Sequence, residues 1–444
     1  MYEKTEKSKK KPLIIVGILA VVVVVMVLIF AFGGNNGEMI AETEPTPTPE
    51  PRIILTHEQY MEDLDYLFDT LRNSFPLFNF IDRTLNTDSE EIITNTRDFM
   101  ETATILTDTH FLGHLNNQFF RNFEDSGHLF MYDENSYHFA LWSFEEDPEN
   151  SEDALPWIET LNNPASRRFY GEISGFLRNF LEQENAFINS TNVSTQILEE
   201  GRIARVNITG FNFFNMELDS EILMDFFAEI SDYEHLIIDI RGAAGGTRAY
   251  FLDLIMAPLI QEPLTYSYYR FTMDSELNRF FFESSWYDDE GEPNYQRIRD
   301  NTGGLDAVLA EMPYLNVNDL ELFDLRFFVE NTINPAEENI DFNGHIWILT
   351  DGMNSFAAEF AAFVSKQTGF AALVGETTGG GGIGTESLLV ALPNTGIIVG
   401  FSSTYGTDPE GRNSQEFPVT PHHFNRDGMS AIETVLALIE EGAY

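Results

Sequence analysis

Cysteine is absent from all 444 residues. That excludes disulfides, thiolate nucleophiles and cysteine-ligated zinc together, and it leaves location open, because secreted chains need not carry disulfides. Basic residues are scarce: 25 Lys and Arg stand against 72 Asp and Glu, for a net charge of −47. Such a surface repels phosphate backbones and anionic headgroups, which removes nucleic acid as a partner and keeps the body off a membrane surface. No internal repeat is found. What is present is apolar bulk, with 43% hydrophobic residues and 39 Phe. A chain of this length and composition folds around a substantial core and has room for two or three domains.

One long apolar run stands at the N-terminus. Lys4, Lys7, Lys9, Lys10 and Lys11 precede an uninterrupted stretch from Leu13 to Phe32. Twenty helical residues span about 30 Å, the thickness of a bilayer core. The lysines place residues 1–12 in the cytoplasm, so residues 13–32 are expected to be an anchor and the rest of the chain extracellular. The alternative is a signal peptide, but the run exceeds a usual h-region and Phe32-Gly33-Gly34-Asn35 makes a poor cleavage site. Residues 33–55 include Glu42-Thr-Glu-Pro-Thr-Pro-Thr-Pro-Glu-Pro51, a polyproline-prone linker that would hold the body away from the membrane.

Residues 56–195 read as a mostly helical module. Thr56 with Gln59 caps a helix carrying Tyr60, Leu64, Leu67 and Leu71 on one face. Further helices are expected over 89–107, 110–123 and 165–185. From 196 to 444 the pattern becomes α/β. His235 to Arg241 is nearly all apolar, the mark of a strand buried on both faces of a parallel sheet, and Gly242-Ala-Ala-Gly-Gly246 breaks it before another helix running to about Leu259. A second such unit follows: strand 345–350, turn 351–354, a helix 355–367 ended by Gly369, and a strand at 371–374. A hairpin is expected around Pro393-Asn-Thr-Gly396, and a last helix over 429–441.

The turn before Ser355 is the chemically informative place. A serine between strand and helix sits where free backbone N–H groups can stabilise an oxyanion. The bland alternative is that Ser355 merely caps the helix. His110 and His114 lie one helical turn apart, but no acidic partner accompanies them, and His422-His423 reads as a turn; no metal and no cofactor is expected.

Three ordered segments resemble the tail-specific, or C-terminal processing, serine proteases. Asp239-Ile-Arg241-Gly242-Ala-Ala-Gly-Gly246 is similar to that family's glycine signature. Leu349-Thr350-Asp351 through Ser355-Phe-Ala-Ala-Glu359 is similar to its nucleophile segment, and Val374-Gly-Glu-Thr-Thr-Gly379 follows. The resemblance covers about residues 195–425. It implies a ββα-superhelix core of the crotonase and Clp-protease kind, and peptide or protein substrates. One branch of the family uses a lysine where this chain has Gly379 to Gly382. The tricorn-like branch instead uses a histidine and a glutamate, for which Asp125-Ser-Gly-His128 and Glu416 are the matches. The implied mechanism takes Ser355 as nucleophile, His128 as base and Glu416 as its orienting group, with an oxyanion hole from Ala244, Gly245 and Phe356. Counting back from Glu359, however, the family's usual serine position falls on Phe356. A catalytically inactive peptide-binding or sensing protein on the same fold is therefore the alternative. The span between His128 and Ile197 is too short and too helical for a PDZ module.

Overall fold

The structure is a computed structural model describing residues 55–123, 126–145, 151–175, 191–288, 290–300, 303–384 and 387–443. The expected anchor at 13–32, nearly all of the proline-rich linker, Asp125, and residues 176–185 of the helix expected over 165–185 lie outside the described residues. Among the described residues no helix is long and apolar enough to cross a membrane.

A six-stranded sheet forms the centre, in the order His423–Phe424, Ala372–Gly375, His345–Thr350, His235–Asp239, Ile203–Ile208, Val193–Glu199. Every pairing is parallel except the last. Strand His235–Asp239 is buried at all five positions, as its unbroken apolar run requires. Leu236 and Ile238 pack with Leu223, Phe227, Ala358 and Ala361 of two helices, Met216–Glu229 and Ala357–Thr368. Ile237 packs on the other side with Trp347, Val435 and Leu438, the last two from the terminal helix Ala431–Glu441. The architecture is thus a mixed α/β fold with helices on both faces of a largely parallel sheet.

Two antiparallel sheets complete the body. The expected hairpin joins Ser387–Ala391 to Ile398–Ser402, and Phe130–Met131 adds to its free edge. The other sheet, unpredicted from sequence, runs Thr404–Thr407, Leu264–Thr272, Leu325–Ile333, Tyr295–Arg297.

The N-terminal helices are His57–Ser74, Phe78–Leu85, Ser89–Thr102 and Asp108–Gln118. Thr56 and Gln59 form the anticipated capping box. The boundary near residue 107 differs from expectation: Thr107 accepts from the His110 amide and so starts a new helix at Asp108, while the preceding one ends at Thr102. Helix Phe78–Leu85 and strand Val193–Glu199 escaped the sequence reading. The helix expected to begin at 165 is Pro164–Tyr170, and the run to Leu259 contains a wide turn at Leu252–Met256. These helices do not stand apart: Leu64, Phe75 and Phe111 share one core with Leu388, Val399 and Phe401 of the hairpin.

Candidate active site

The site begins where strand His345–Thr350 ends. The Asp351 carboxylate accepts from the amides of Met353 and Gly242, which shapes the turn and joins it to the glycine signature. Buried Asn354 donates from Nδ2 to the carbonyls of Ile240 and Ala243 at 2.6 and 2.8 Å. The carboxylate of Asp239 anchors the same loop through Arg241, at 2.8 and 2.7 Å, and Arg205 adds a third contact at 2.6 Å. Burial pushes the Asp239 carboxyl up, but these guanidiniums outweigh it and hold it below the usual range. Both residues are structural ties, as their position at the strand end suggests.

Helix Ala357–Thr368 starts immediately after a strained residue. Phe356 has φ 54° and ψ −116°, a region that side chains with a Cβ rarely occupy and that costs of order 1–3 kcal/mol. Its amide donates to the Gly380 carbonyl at 3.1 Å, and the Ala358 amide donates to the Ala244 carbonyl at 3.1 Å. The elbow is therefore stitched to both glycine-rich loops. Of the three expected oxyanion donors, Phe356 has its N–H engaged. The amides of Ala244 and Gly245 meet no carbonyl among the described residues.

His128 reaches this elbow from the N-terminal region of the chain. It lies on the short turn Ser126–His128, with φ 53° after a Gly127 at φ 65°. A Cβ on Gly127 would come within 2.7 Å of Leu77 and 2.8 Å of Phe75, so only glycine fits there. The imidazole Nδ1 lies 2.9 Å from Ser402 Oγ. Its ring stacks on Phe356, with centroids 4.6 Å apart and planes at 28°. Burial pushes its pKa down to about 4, so the ring is neutral near pH 7, free to accept a proton but weakly basic.

The structure brings some of the expected residues together and keeps others apart. Phe356 and His128 touch. Ser355, one residue earlier, faces backwards: its Oγ is 3.5 Å from the Met353 carbonyl, too long for a strong bond. Glu416 does not orient the imidazole. It accepts from Arg83 at 2.8 and 3.1 Å, and Arg83 also pairs with buried Asp319 at 2.9 Å. The neighbouring Gln415 takes the place beside the histidine instead. It lines a small pocket with His128, Leu77, Gly381, Ser402 and Ser414, and its Oε1 is buried without a partner among the described residues. Ser402, Asn354 and Gln415 were missed in the sequence because each meets the site only through folding; nothing local distinguishes them. Among the described residues no group of three His, Asp or Glu is placed to hold a metal. His114 lies edge-on to Phe99. His423 opens a short strand, and His422 accepts from the Leu373 amide, so the expected turn is in fact a sheet edge.

A parallel α/β sheet, a strained strand-to-helix elbow and a histidine over it define the scaffold of a serine-type peptidase. The family model of peptidase family S41 matches residues 202–423, half of the chain, and the chain belongs to that family. Its class is thereby serine-type peptidase. No curated protein matches the sequence. Among solved structures, a candidate peptidase from Parabacteroides merdae is similar at 17% identity, over 86% of this chain and 96% of that one, with a TM-score of 0.50. Mature CPAF is 13% identical over 83% and 92% with a TM-score of 0.48. A lipoprotein from Streptococcus agalactiae is 11% identical over 89% and 99%, with a TM-score of 0.45. At such identities the first of these speaks for the fold alone.

Proposed function

We propose that this protein hydrolyses peptide bonds on the outer side of a membrane to which residues 13–32 anchor it, with Ser355 as nucleophile and His128 as base. The observation that carries the catalytic part is the neutral imidazole of His128 lying directly over the elbow. Ser355 Oγ would attack the substrate carbonyl carbon and pass its proton to His128. The imidazole would return it to the leaving amine, and water would then hydrolyse the ester. For this the Phe356 ring must leave the histidine and the serine must turn about the strained elbow, since one residue at a helix start corresponds to about 100°.

The Phe356–His128 stack itself favours a second reading, in which the elbow binds peptides without cutting them. Fluorophosphonate labelling of the full chain separates the two. Labelling of the wild type that disappears in Ser355→Ala is expected for the peptidase. An unlabelled wild type together with a labelled Phe356→Ser would mean that the elbow's own position carries the competent hydroxyl, and the binding reading would stand. Location is checked separately: the lysine-flanked apolar run predicts that protease added to intact cells removes a C-terminal tag, and a protected tag would refute it.

A further inference from the structure

We propose that Glu359 is a positioning residue: its buried carboxylate holds the Gly379–Gly382 loop and the segment 413–419 against the elbow, and so sets the shape of the cleft that receives the peptide. This rests on the peptide-cleaving reading of the site.

Glu359 is fully buried in the first turn of helix Ala357–Thr368. One carboxylate oxygen accepts from the Gly382 amide at 2.5 Å. The other accepts from the Val419 amide and the Thr378 hydroxyl, both at 3.1 Å. These donors come from two chain segments that both border His128: Gly381 and Ser414 line its pocket, and Gly381 lies against the Phe356 ring. The glycines are required for this closeness, since a Cβ on Gly382 would stand 2.6 Å from the Phe360 amide nitrogen. A carboxylate with three donors in a buried site is a strong tie: losing it strands the buried Gly382 N–H, while the Val419 N–H keeps the Thr378 hydroxyl oxygen at 2.9 Å as an acceptor.

The surroundings make this tie sensitive to protonation. Burial pushes the Glu359 carboxyl up to about 7, opposed by its backbone and hydroxyl donors. Arg248, at the start of helix Arg248–Phe251, faces the same loop and donates to the carbonyls of Gly382 and Gly384. On the adjoining segment Glu416 is occupied by Arg83; Glu376, at the loop's start, is exposed; and His128 is neutral above about pH 4. Near neutrality Glu359 is therefore the group in this cluster whose charge changes.

The test uses the full chain as wild type, Glu359→Ala and Glu359→Gln. It follows amide hydrogen exchange at Gly382 and Val419, with Ile238 as a core reference, and fluorophosphonate labelling across pH. Glu359→Ala is expected to speed exchange at Gly382 at least about tenfold, and less at Val419, which keeps the Thr378 hydroxyl as acceptor, while Ile238 is unchanged. The wild-type protection and labelling rate should both break near pH 7, and Glu359→Gln, which keeps an acceptor but no charge, should restore part of the protection and erase the break. Unchanged protection in Glu359→Ala, or a break that persists in Glu359→Gln, overturns the proposal. If the wild type takes no label, the peptide-cleaving reading fails by itself and the exchange arm still decides whether Glu359 holds the loops.

Discussion

At the scale of single residues, two titratable groups packed beside the elbow, His128 and the buried Glu359, pull stability in opposite directions with pH. His128 is pushed down to about 4 from an ordinary 6.5, so the unfolded chain binds its proton first. Its contribution is complete above about pH 6.5 and is lost as pH falls towards 4. Glu359 is raised to about 7 from 4.5. The folded state therefore binds its proton more tightly, and its contribution is complete below about pH 4.5 and lost as pH rises to 7. In urea titrations, His128→Asn should gain on the wild type as pH falls from 6.5 to 4, because asparagine has no proton to bind and tolerates the left-handed φ of 53°. A constant difference over that window would contradict the burial of the imidazole. Phe356 belongs to this scale too: one aromatic ring at a strained φ, rather than a missing loop or strand, separates the serine-bearing elbow from its histidine.

At the scale of elements, the strands and helices that carry the site were readable wherever their signal is local. His235 to Asp239 is buried throughout and the next strand is buried from Trp347 to Thr350, as their nearly continuous apolar runs suggest, and they pair in register from His235–His345 to Asp239–Leu349. The helix 357–368 ends at Gly369 with φ 72°, as its glycine demands. The antiparallel sheet around Leu264–Thr272 and Leu325–Ile333 was not legible, because its strands mix exposed and buried positions without clean alternation. Its attachment to the site is close. Gly406 on strand Thr404–Thr407 lies so near the Ile383 carbonyl that a Cβ there would come within 1.5 Å of its oxygen. Gly406→Ala should therefore destabilise by about 3 kcal/mol or more and shift the glycine loop. A melting temperature within about 2 °C of wild type would show that the strand can move away.

At the scale of the whole molecule, the N-terminal helices and the C-terminal hairpin are one structure. Asp63 on the first helix is fully buried and accepts from the Asn394 amide, the Thr395 amide and the Thr395 hydroxyl at 2.7, 2.7 and 2.6 Å. Burial pushes its carboxyl up despite those donors. Trp157 donates to the Ser387 carbonyl at 3.0 Å, and Phe75 meets Phe401 edge to face. The hairpin presents Ser402 to His128 while the helices carry the histidine turn, so this interface aligns the base. Asp63→Ala takes the acceptor from three donors, the two of Thr395 buried and that of Asn394 partly so, and is expected to cost about 3 kcal/mol, lowering labelling or peptide binding along with stability. A variant as stable as wild type by urea titration would show that the two regions are held together elsewhere.

The sequence by itself determined the charge of the body, the absence of thiol chemistry, the parallel strands that carry the elbow and the family motifs in their order. Those properties are local: they follow from composition, from continuous apolar runs, or from turns whose glycines cannot be replaced. Tertiary structure decided the rest of the site. Glu416 and Gln415 are adjacent in the chain, yet one points to Arg83 and the other to the histidine pocket, and only packing chooses between them. Ser402 reaches His128 across 274 positions, and Glu359 gathers donors from Gly382 and Val419. Contacts of that separation leave no periodicity or spacing in the sequence, because they are set by how sheets and helices stack and not by the residues beside them.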